Sequence, residues 1–307
     1  MRQLPFESRF ISAADGLRLH ARDYGSALDD GIPAVCLPGL SRNSADFGLL
    51  ASALAAGRFG KKRRVIAVDY RGRGLSAYDK NWKNYSLPIE NRDILSVLAA
   101  LEVDRAIFIG TSRGGLHAML LSATRPTALQ GVVLNDIGPV LEPLGMARIR
   151  GYIGKLPEPA SVADAIALSK TVMSGSFTSL SKADWEAYAR ITYEDELGRI
   201  GTRYDKNLAQ TLTAADLEKP LPTFWPQFDG LRNVPLLILR GGNSDLLSTA
   251  TVKEMVFHHP EAETYTIEGQ GHPPLLLDEQ TISRICHFAA SIDSAVQNET
   301  FKSNCAL

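Results

Sequence analysis

Three polar residues near the ends of apolar runs are of the types that nucleophilic catalysis requires. Ser112 lies at the centre of a Gly-x-Ser-x-Gly pattern, residues 110–114, directly after the apolar run 106–109. Asp245 follows another apolar run, and His272 lies in a glycine-rich loop in the last part of the chain. A serine hydroxyl is a weak nucleophile until a histidine base, itself oriented by a carboxylate, takes its proton. The sequence therefore predicts a serine-based catalytic site formed by Ser112, Asp245 and His272.

The surroundings of Ser112 support this prediction. A β-type run precedes the serine and a helical pattern over residues 116–124 follows it, which is the context of a nucleophile elbow. Gly110 and Gly114 have no Cβ atom, so the strand and the helix can approach closely around the serine. We expect the Ser112 hydroxyl to lie near the helix N-terminus, where backbone N–H groups favour negative charge.

The acidic member of the site has two candidates. We expect Asp245, because it follows a buried strand at the sheet edge where catalytic groups of open α/β sheets gather. Asp136 also follows an apolar strand, residues 131–135, and is the competing candidate. The structural interpretation of Asp136 is that it caps the turn at residues 137–139.

An alternation of strands and helices must position these residues. Apolar or alternating runs predict eight strands, at residues 6–13, 17–23, 33–37, 63–69, 106–109, 131–135, 235–239 and 263–267. Helical patterns separate most of them, for example over residues 45–57 and 85–103. This alternation predicts an α/β fold with a mostly parallel sheet that helices cover on both faces.

The alternation stops over residues 139–232, called here the inserted segment. Four helices and no buried strand are predicted in it, the helices at residues 143–153, 161–173, 181–193 and 205–209. Proline and glycine residues separate them, and aromatic residues are concentrated here. The sequence thus predicts a core domain made of residues 1–138 and 233–307, interrupted after the sixth core strand. A separate helical domain with no part in catalysis is the alternative.

In their types and order, these motifs resemble those of the α/β-hydrolase superfamily. The resemblance rests on the Ser112 turn, the stretch around Asp245 and three further motifs: Leu37-Pro38-Gly39-Leu40, the loop Asp69-Tyr70-Arg71-Gly72-Arg73-Gly74-Leu75-Ser76, and Gly269-Gln270-Gly271-His272. It implies an eight-stranded α/β-hydrolase sheet and makes the inserted segment a helical cap over the active site. Some family members carry their acid at the place of Asp136, so that alternative stays open.

The resemblance also implies an oxyanion hole. Its donors would be the backbone N–H groups of Leu40 and Arg113, which hold the negative charge of the transition state. Many relatives carry histidine where this chain has Pro38, and that difference removes a side chain that helps to order the loop. In the glycine-rich loop after residue 68, we expect Asp69 and Arg71 to pair and brace the site.

The composition argues against several other classes of protein. The 307 residues carry a net charge of −1, which gives no electrostatic basis for binding nucleic acid or an anionic membrane. No run approaches the roughly 20 apolar residues of a membrane span. The three cysteines are few, odd in number and without metal-ligand spacing, which predicts a reducing compartment and a cytoplasmic location. No metal or other cofactor is expected, and the oligomeric state stays open.

The function that these observations predict is a cofactor-free serine hydrolase acting on a small-molecule ester or lactone through an acyl-enzyme on Ser112. Two alternatives stay open: hydrolysis of a carbon–carbon bond in ring-cleavage products by the same three residues, and a slow-turnover ligand receptor on the same fold. A serine at the turn argues against the epoxide hydrolases and haloalkane dehalogenases, which use aspartate there. We expect Arg42 and Arg113 to point away from the substrate, and hence a preference for uncharged acyl groups.

Overall fold

Eight strands form one sheet in the part of the chain that the computed structural model describes, residues 3–213 and 221–305. Their order across the sheet is β1-β2-β4-β3-β5-β6-β7-β8. β2 is antiparallel to both of its neighbours. Every pair of neighbouring strands from β4 across the sheet to β8 is parallel. The predicted eight-stranded, mostly parallel sheet is confirmed. The strands are β1 Glu7–Ser12, β2 Arg18–Tyr24, β3 Ala34–Leu37, β4 Val65–Asp69, β5 Ala106–Thr111, β6 Leu129–Asn135, β7 Leu236–Gly241 and β8 Glu263–Ile267.

Helices cover both faces of the sheet, which explains the continuous apolar runs of its central strands. Alternate residues of β3 point to opposite faces: Val35 and Leu37 pack on one side, Ala34 and Cys36 on the other. The Val35 side is covered by α2, α3 and α9, and the Cys36 side by α1 and α10. These helices are α1 Gly48–Ala55, α2 Leu87–Ala100, α3 Arg113–Thr124, α9 Thr249–His258 and α10 Glu279–Cys305.

The inserted segment contributes five helices between β6 and β7 among the described residues. They are α4 Pro143–Tyr152, α5 Val162–Met173, α6 Lys182–Tyr193, α7 Leu208–Thr213 and α8 Trp225–Asp229. The first three agree with the sequence prediction to within a residue at each end. The helix predicted at 205–209 instead begins at Leu208, because Asp205 accepts backbone N–H bonds as a turn residue.

Local capping explains where α5 and α6 begin. The hydroxyl of Ser161 accepts a hydrogen bond from the backbone N–H of Asp164, which satisfies one free donor of α5. Ser181 and Asp184 form a reciprocal capping box at the start of α6. Between these helices and the sheet, Trp185 and the core residue Leu275 belong to one small apolar cluster. The inserted segment is therefore packed against the core domain.

The last helix, α10, is anchored to the sheet by a buried ion pair. The Arg63 guanidinium contacts the Asp293 carboxylate at 2.7 Å, and the same carboxylate accepts the Ile32 N–H at 3.0 Å. Ile282 and Ile285, earlier in α10, are fully buried. Of the helices in the described part of the chain, α10 included, none combines the length and the apolar character that a membrane crossing requires.

Candidate active site

Ser112 occupies a strained turn between β5 and α3. Its backbone angles are φ 51° and ψ −113°, a conformation that is uncommon for any residue with a side chain. The Ser112 N–H donates to the carbonyl oxygen of Asn135 at 3.0 Å, so the neighbouring strand β6 holds the turn in place. The turn exposes the hydroxyl at the carboxyl edge of the sheet, as the nucleophile-elbow pattern predicts.

The two glycines that flank this turn leave no room for a side chain. A Cβ atom on Gly110 would lie 2.4 Å from the backbone of Gly114, and one on Gly114 would lie 2.0 Å from the carbonyl oxygen of Leu37. Both distances are far inside van der Waals contact, and the obstructing atoms are backbone atoms. The strand-to-helix approach that brings Ser112 forward therefore depends on glycine at both positions.

We expect Gly114→Ala to lower the free energy of unfolding by at least about 3 kcal/mol, because backbone atoms that cannot move aside would meet the new methyl group. Gly151→Ala is the matched control. It also lies in a helix, α4, but nothing lies within 4 Å of its added Cβ, and alanine favours helix by about 0.5–1 kcal/mol. Chemical denaturation of the two variants measures the difference. A Gly114→Ala protein as stable as Gly151→Ala would contradict the close approach of α3 to the Leu37 carbonyl.

His272 lies within hydrogen-bond distance of Ser112. The imidazole Nε2 is 2.9 Å from the Ser112 Oγ, and the Nδ1 is 2.7 Å from the Oδ2 of Asp136. The histidine is carried by the loop after β8 and is only 4% exposed, which shields its bonds from competing water. An imidazole whose Nδ1–H donates to a carboxylate presents an unprotonated Nε2 to the serine hydroxyl. The arrangement can therefore accept the serine proton.

Both carboxylate oxygens of Asp136 are held by hydrogen bonds that fix the group against His272. Its Oδ1 accepts the backbone N–H of Gly241 at 2.7 Å, and its Oδ2 accepts the hydroxyl of Ser244 at 2.6 Å. The residue itself has φ 56°, and its N–H donates to Leu239. This left-handed turn at the end of β6 directs the side chain toward the neighbouring loops instead of continuing the strand. Asp136 is thus the carboxylate that orients the ring of His272.

Asp245, the carboxylate that the sequence analysis expects beside His272, forms no hydrogen bond with that ring among the described residues. It lies four residues beyond β7, and its carboxylate forms two hydrogen bonds with Arg148 of the inserted segment, at 2.5 and 2.9 Å. Burial would raise the pKa of Asp245, but the bonds and charge of Arg148, together with a smaller effect of His272, outweigh this and lower it. Asp245 is therefore an ionised partner in an ion pair between the core and α4.

Asn135 is a site residue that the sequence analysis missed. Its side-chain amide donates to the Thr111 hydroxyl and to the Pro274 carbonyl, both at 3.1 Å, and it is fully buried. It thereby connects the Ser112 turn with the loop that carries His272. The available signal was a polar residue ending the otherwise apolar run 131–135.

The residues that carry the two predicted oxyanion donors both lie near the serine. Arg113 is the first residue of α3, and Leu40 lies in the loop after β3, where a Cβ on Gly39 would approach the Ser112 Cβ to 3.9 Å. Within the described ranges, neither backbone N–H has a hydrogen-bond acceptor. Both donors are therefore available to a developing negative charge at the serine.

A cavity opens above Ser112 and His272, between the core and the inserted segment. The volume of this cavity is about 120 Å³. Helices α4, α5 and α6 supply much of its apolar lining, including Ile149, Leu168, Val172, Met173 and Ile191. Burial raises the pKa of Tyr152 and of Tyr193 in the lining to about 12, so their hydroxyls are protonated hydrogen-bond donors at neutral pH.

Each arginine that lines the cavity is already paired with a carboxylate. Arg42 forms two bonds with Asp46 at 2.5 and 2.8 Å and lies over the ring of Tyr188. Arg148 pairs with Asp245, as described above. Arg203, the third arginine in the lining, pairs with Glu196. The charges in the lining are therefore compensated by the protein itself.

The remaining sequence predictions about charged residues have mixed outcomes. Arg113 is outside the cavity lining and pairs with the core residue Glu90 at 2.6 Å. Arg42 does line the cavity, although Asp46 binds it. Asp69 and Arg71 do not pair, which corrects that expectation: Asp69 binds His20, and Arg71 binds three other aspartates. Among the side chains that the structure describes, no group of His, Cys, Asp and Glu has the arrangement of a metal site.

Comparison with known proteins agrees with this fold. A family model described as alpha/beta hydrolase family matches residues 34–284. A 3-hydroxybutyrate-oligomer hydrolase of Cupriavidus necator is 29% identical over 283 residues, which are 89% of this chain and 94% of that protein. The sn-1-specific diacylglycerol lipase ABHD11 of Mus musculus is 30% identical over 250 residues, 80% of this chain and 76% of that protein.

A solved structure gives the same result in three dimensions. An alpha/beta hydrolase from Novosphingobium aromaticivorans superposes with a TM-score of 0.81 at 34% sequence identity, and the match covers 92% of this chain and 98% of that one. Little of either chain is therefore left out of the match. On its sequence, its fold and these similarities, the chain belongs to the alpha/beta hydrolase family.

Proposed function

We propose that this hydrolase is a cofactor-free serine esterase that cleaves carboxylic esters or lactones through an acyl-enzyme formed on Ser112. The observation that carries the proposal is the hydrogen-bonded series of Ser112, His272 and Asp136 at the floor of the cavity, with distances of 2.9 and 2.7 Å. A nucleophile, a base and an orienting carboxylate within hydrogen-bond reach are what acyl transfer by serine requires. Asp136 replaces Asp245 as the proposed acid.

In the first half of the reaction, the Ser112 Oγ attacks the carbonyl carbon of the ester while the His272 Nε2 takes the hydroxyl proton. The resulting imidazolium is stabilised by the Asp136 carboxylate at Nδ1. When the tetrahedral intermediate collapses, the bond to the alcohol oxygen breaks and His272 gives its proton to the leaving oxygen. The acyl group is then an ester of Ser112, and the alcohol is released.

In the second half, a water molecule replaces the alcohol. His272 takes one proton from the water while the water oxygen attacks the acyl carbon. His272 then returns that proton to the Ser112 oxygen as the carboxylic acid leaves. The backbone N–H groups of Leu40 and Arg113 hold the oxyanion in both halves. A single donor of this kind is worth about 10²- to 10³-fold in rate.

The inserted segment acts in this proposal as a cap. Its helices α4, α5 and α6 form the apolar wall of the cavity opposite Ser112. Such a wall excludes bulk water from the charged intermediates and favours apolar parts of a substrate. The Arg148–Asp245 pair joins the cap to the core beside the site.

Two observations favour an uncharged acyl group on an ester. The cavity arginines are compensated by Asp46, Asp245 and Glu196, so a substrate carboxylate would have to displace a carboxylate of the protein. The two relatives named above are described as hydrolases of hydroxybutyrate oligomers and of diacylglycerol, and both of those substrates are carboxylic esters. Short neutral acyl esters are therefore the first substrates to test.

We expect kcat/KM for p-nitrophenyl butyrate to exceed that for p-nitrophenyl hemisuccinate by at least about tenfold, or 1.4 kcal/mol in transition-state free energy. The two esters share an acyl chain of four carbons and differ in the terminal carboxylate, for which the cavity offers no unpaired cation among the described residues. Prior treatment with a serine-directed phosphonate should abolish both activities and label Ser112.

The opposite preference would contradict the neutral-substrate proposal. A wild-type protein that prefers the hemisuccinate, and loses that preference in Arg148→Gln, would make Arg148 a clamp for a substrate carboxylate. Labelling of Ser112 without hydrolysis of any ester or lactone, together with cleavage of a vinylogous diketone, would favour carbon–carbon bond hydrolysis. Neither labelling nor turnover would favour a ligand receptor.

A further inference from the structure

A buried carboxylate, Glu90, connects the two sides of the proposed oxyanion hole. It lies in the first turns of α2 and is completely inaccessible to solvent. Its Oε1 accepts a hydrogen bond from Arg73 at 2.7 Å, and its Oε2 accepts one from Arg113 at 2.6 Å. His117 lies 3.2 Å from the same Oε2. Burying this many charged groups is costly, so the cluster calls for an explanation beyond packing.

Each arginine of the cluster is connected to one of the two oxyanion donors. Arg73 uses its Nε to donate to the carbonyl oxygen of Leu40 at 2.8 Å, and so holds the loop whose N–H is the first donor. Arg113 carries the second donor in its own backbone. One carboxylate therefore binds both sides of the hole, one through each of its oxygens.

The Leu40 loop is fixed at two points by residues at the end of β4 and in the loop that follows it. Arg73 binds the Leu40 carbonyl, and the Asp69 carboxylate accepts the N–H of Ser44 at 2.6 Å. Arg73 is fully buried, and the rings of Tyr70 and Tyr85 lie 5.6 and 5.3 Å from its guanidinium carbon. A planar guanidinium confined in this way has little freedom to change the direction of its Nε–H bond.

We propose that Glu90 and Arg73 are positioning residues that set the separation of the Leu40 and Arg113 N–H donors in the oxyanion hole. This inference rests on the proposed esterase function. Misplacing a group by about 1 Å can cost about 100-fold in rate, so a rigid connection between two donors from distant parts of the chain has a direct catalytic value. Neither residue contacts the reacting atoms.

The charge states of Glu90 and His117 are those that the bonds from Glu90 to the two arginines require. Burial raises the pKa of Glu90, but the positive charges of Arg113 and Arg73 outweigh it and hold that pKa far below its ordinary value. Burial lowers the pKa of His117 more than Glu90 raises it, so this histidine is neutral at neutral pH. The carboxylate thus stays ionised, and its two bonds to the arginines are maintained over the working range of the enzyme.

The chain offers a matched control within the same two elements. Arg71 precedes Arg73 by two residues, and Asp93 follows Glu90 by one helical turn. They form a two-bond ion pair at 2.6 and 2.7 Å that is equally buried on the arginine side. The Arg71 side chain binds only aspartates among the described residues and contacts neither Leu40 nor Arg113.

The test compares Arg73→Lys and Glu90→Gln with Arg71→Lys and Asp93→Asn. Lysine keeps the positive charge toward Glu90 but cannot reproduce the fixed fork that also reaches Leu40. We expect the first two variants to lower kcat about 10- to 100-fold with KM changed by less than about threefold, since the hole acts mainly in the transition state. The two control variants should stay within about threefold of the wild type in kcat.

A second measurement separates positioning from a loss of folded protein. Phenylboronic acid forms a tetrahedral adduct on a reactive serine, with one oxygen in the oxyanion hole, so its inhibition constant should rise in Arg73→Lys by about the same factor as kcat falls. A purely structural role would weaken thermal stability and leave the inhibition constant of the remaining folded enzyme unchanged. If Glu90→Gln does not fold, Arg73→Lys still decides the question.

The outcomes distinguish this inference from the proposed function. Activity that depends on Ser112 but falls no further in Arg73→Lys and Glu90→Gln than in the two controls overturns the positioning role alone. Activity that survives Ser112→Ala removes both proposals. A parallel loss of kcat and boronate affinity in Arg73→Lys, with Arg71→Lys unaffected, supports the positioning role.

Discussion

Ser112→Ala is expected to lower kcat for p-nitrophenyl butyrate by about 10⁴- to 10⁶-fold, because it removes the hydroxyl that lies 2.9 Å from the His272 base and would form the acyl-enzyme. The remaining rate would come from binding and from the Leu40 and Arg113 N–H groups acting on attack by water. Stability should change little. The hydroxyl contributes one hydrogen bond to His272, and the strained turn is held by backbone contacts that alanine keeps.

The measurement is the steady-state rate of purified variant and wild type, with the melting temperature of both. Ser122→Ala, on the helix that follows the turn, is the control for a serine substitution, since among the described residues that hydroxyl donates to the carbonyls of Met119 and Gln227, away from the site. Retention of more than about a tenth of the wild-type rate in Ser112→Ala would exclude Ser112 as the nucleophile.

Much of the site could be predicted because Ser112 and His272 are marked by local patterns. A nucleophile elbow needs glycines at fixed offsets, and the contacts of Gly110 and Gly114 give the physical reason for that pattern. The strands were recognisable because helices cover both faces of the sheet, which makes the strands continuously apolar. Both kinds of information are contained in a few consecutive residues.

The carboxylate partner of His272 could not be decided in the same way. Asp136 and Asp245 both follow apolar strands, and both precede His272 in the chain. What separates them is the positive φ of Asp136, which turns its side chain toward His272, and the presence of Arg148, which binds Asp245. Neither the backbone angle nor a contact across 97 residues can be read from the local sequence.

The cluster of Glu90 with Arg73, Arg113 and His117 could not be predicted from the sequence for a related reason. Its members come from the loop after β4, from α2 and from α3, and each is unremarkable in its own segment. A glutamate near a helix N-terminus is usually a solvated, dipole-stabilised residue. Only the packing of the three elements buries Glu90 and brings Arg73 and Arg113 to opposite oxygens of its carboxylate.

Asp136→Asn should be the second most damaging substitution, with a loss of about 10⁴-fold in kcat. The Gly241 N–H must donate to an oxygen, so the amide oxygen of the new asparagine is expected to take the place of Oδ1. The amide NH₂ then faces His272 in the place of Oδ2. Because two donors cannot share a hydrogen bond, the Nδ1 of His272 must become an acceptor and the proton must move to Nε2. A protonated Nε2 cannot take the proton of Ser112.

Asp245→Asn is the matched comparison, and it should change kcat by less than about tenfold. Its amide oxygen can still accept from Arg148, and the bonds among Ser112, His272 and Asp136 are untouched. The pKa of Asp245 is already lowered by Arg148, so its ionisation should not appear in the pH–rate profile above about pH 4. The comparison of kcat for the two asparagine variants, each with a pH–rate profile, assigns the acid. A larger loss in Asp245→Asn would mean that His272 turns to the other carboxylate during turnover, and the resting hydrogen bond to Asp136 would not be the catalytic one.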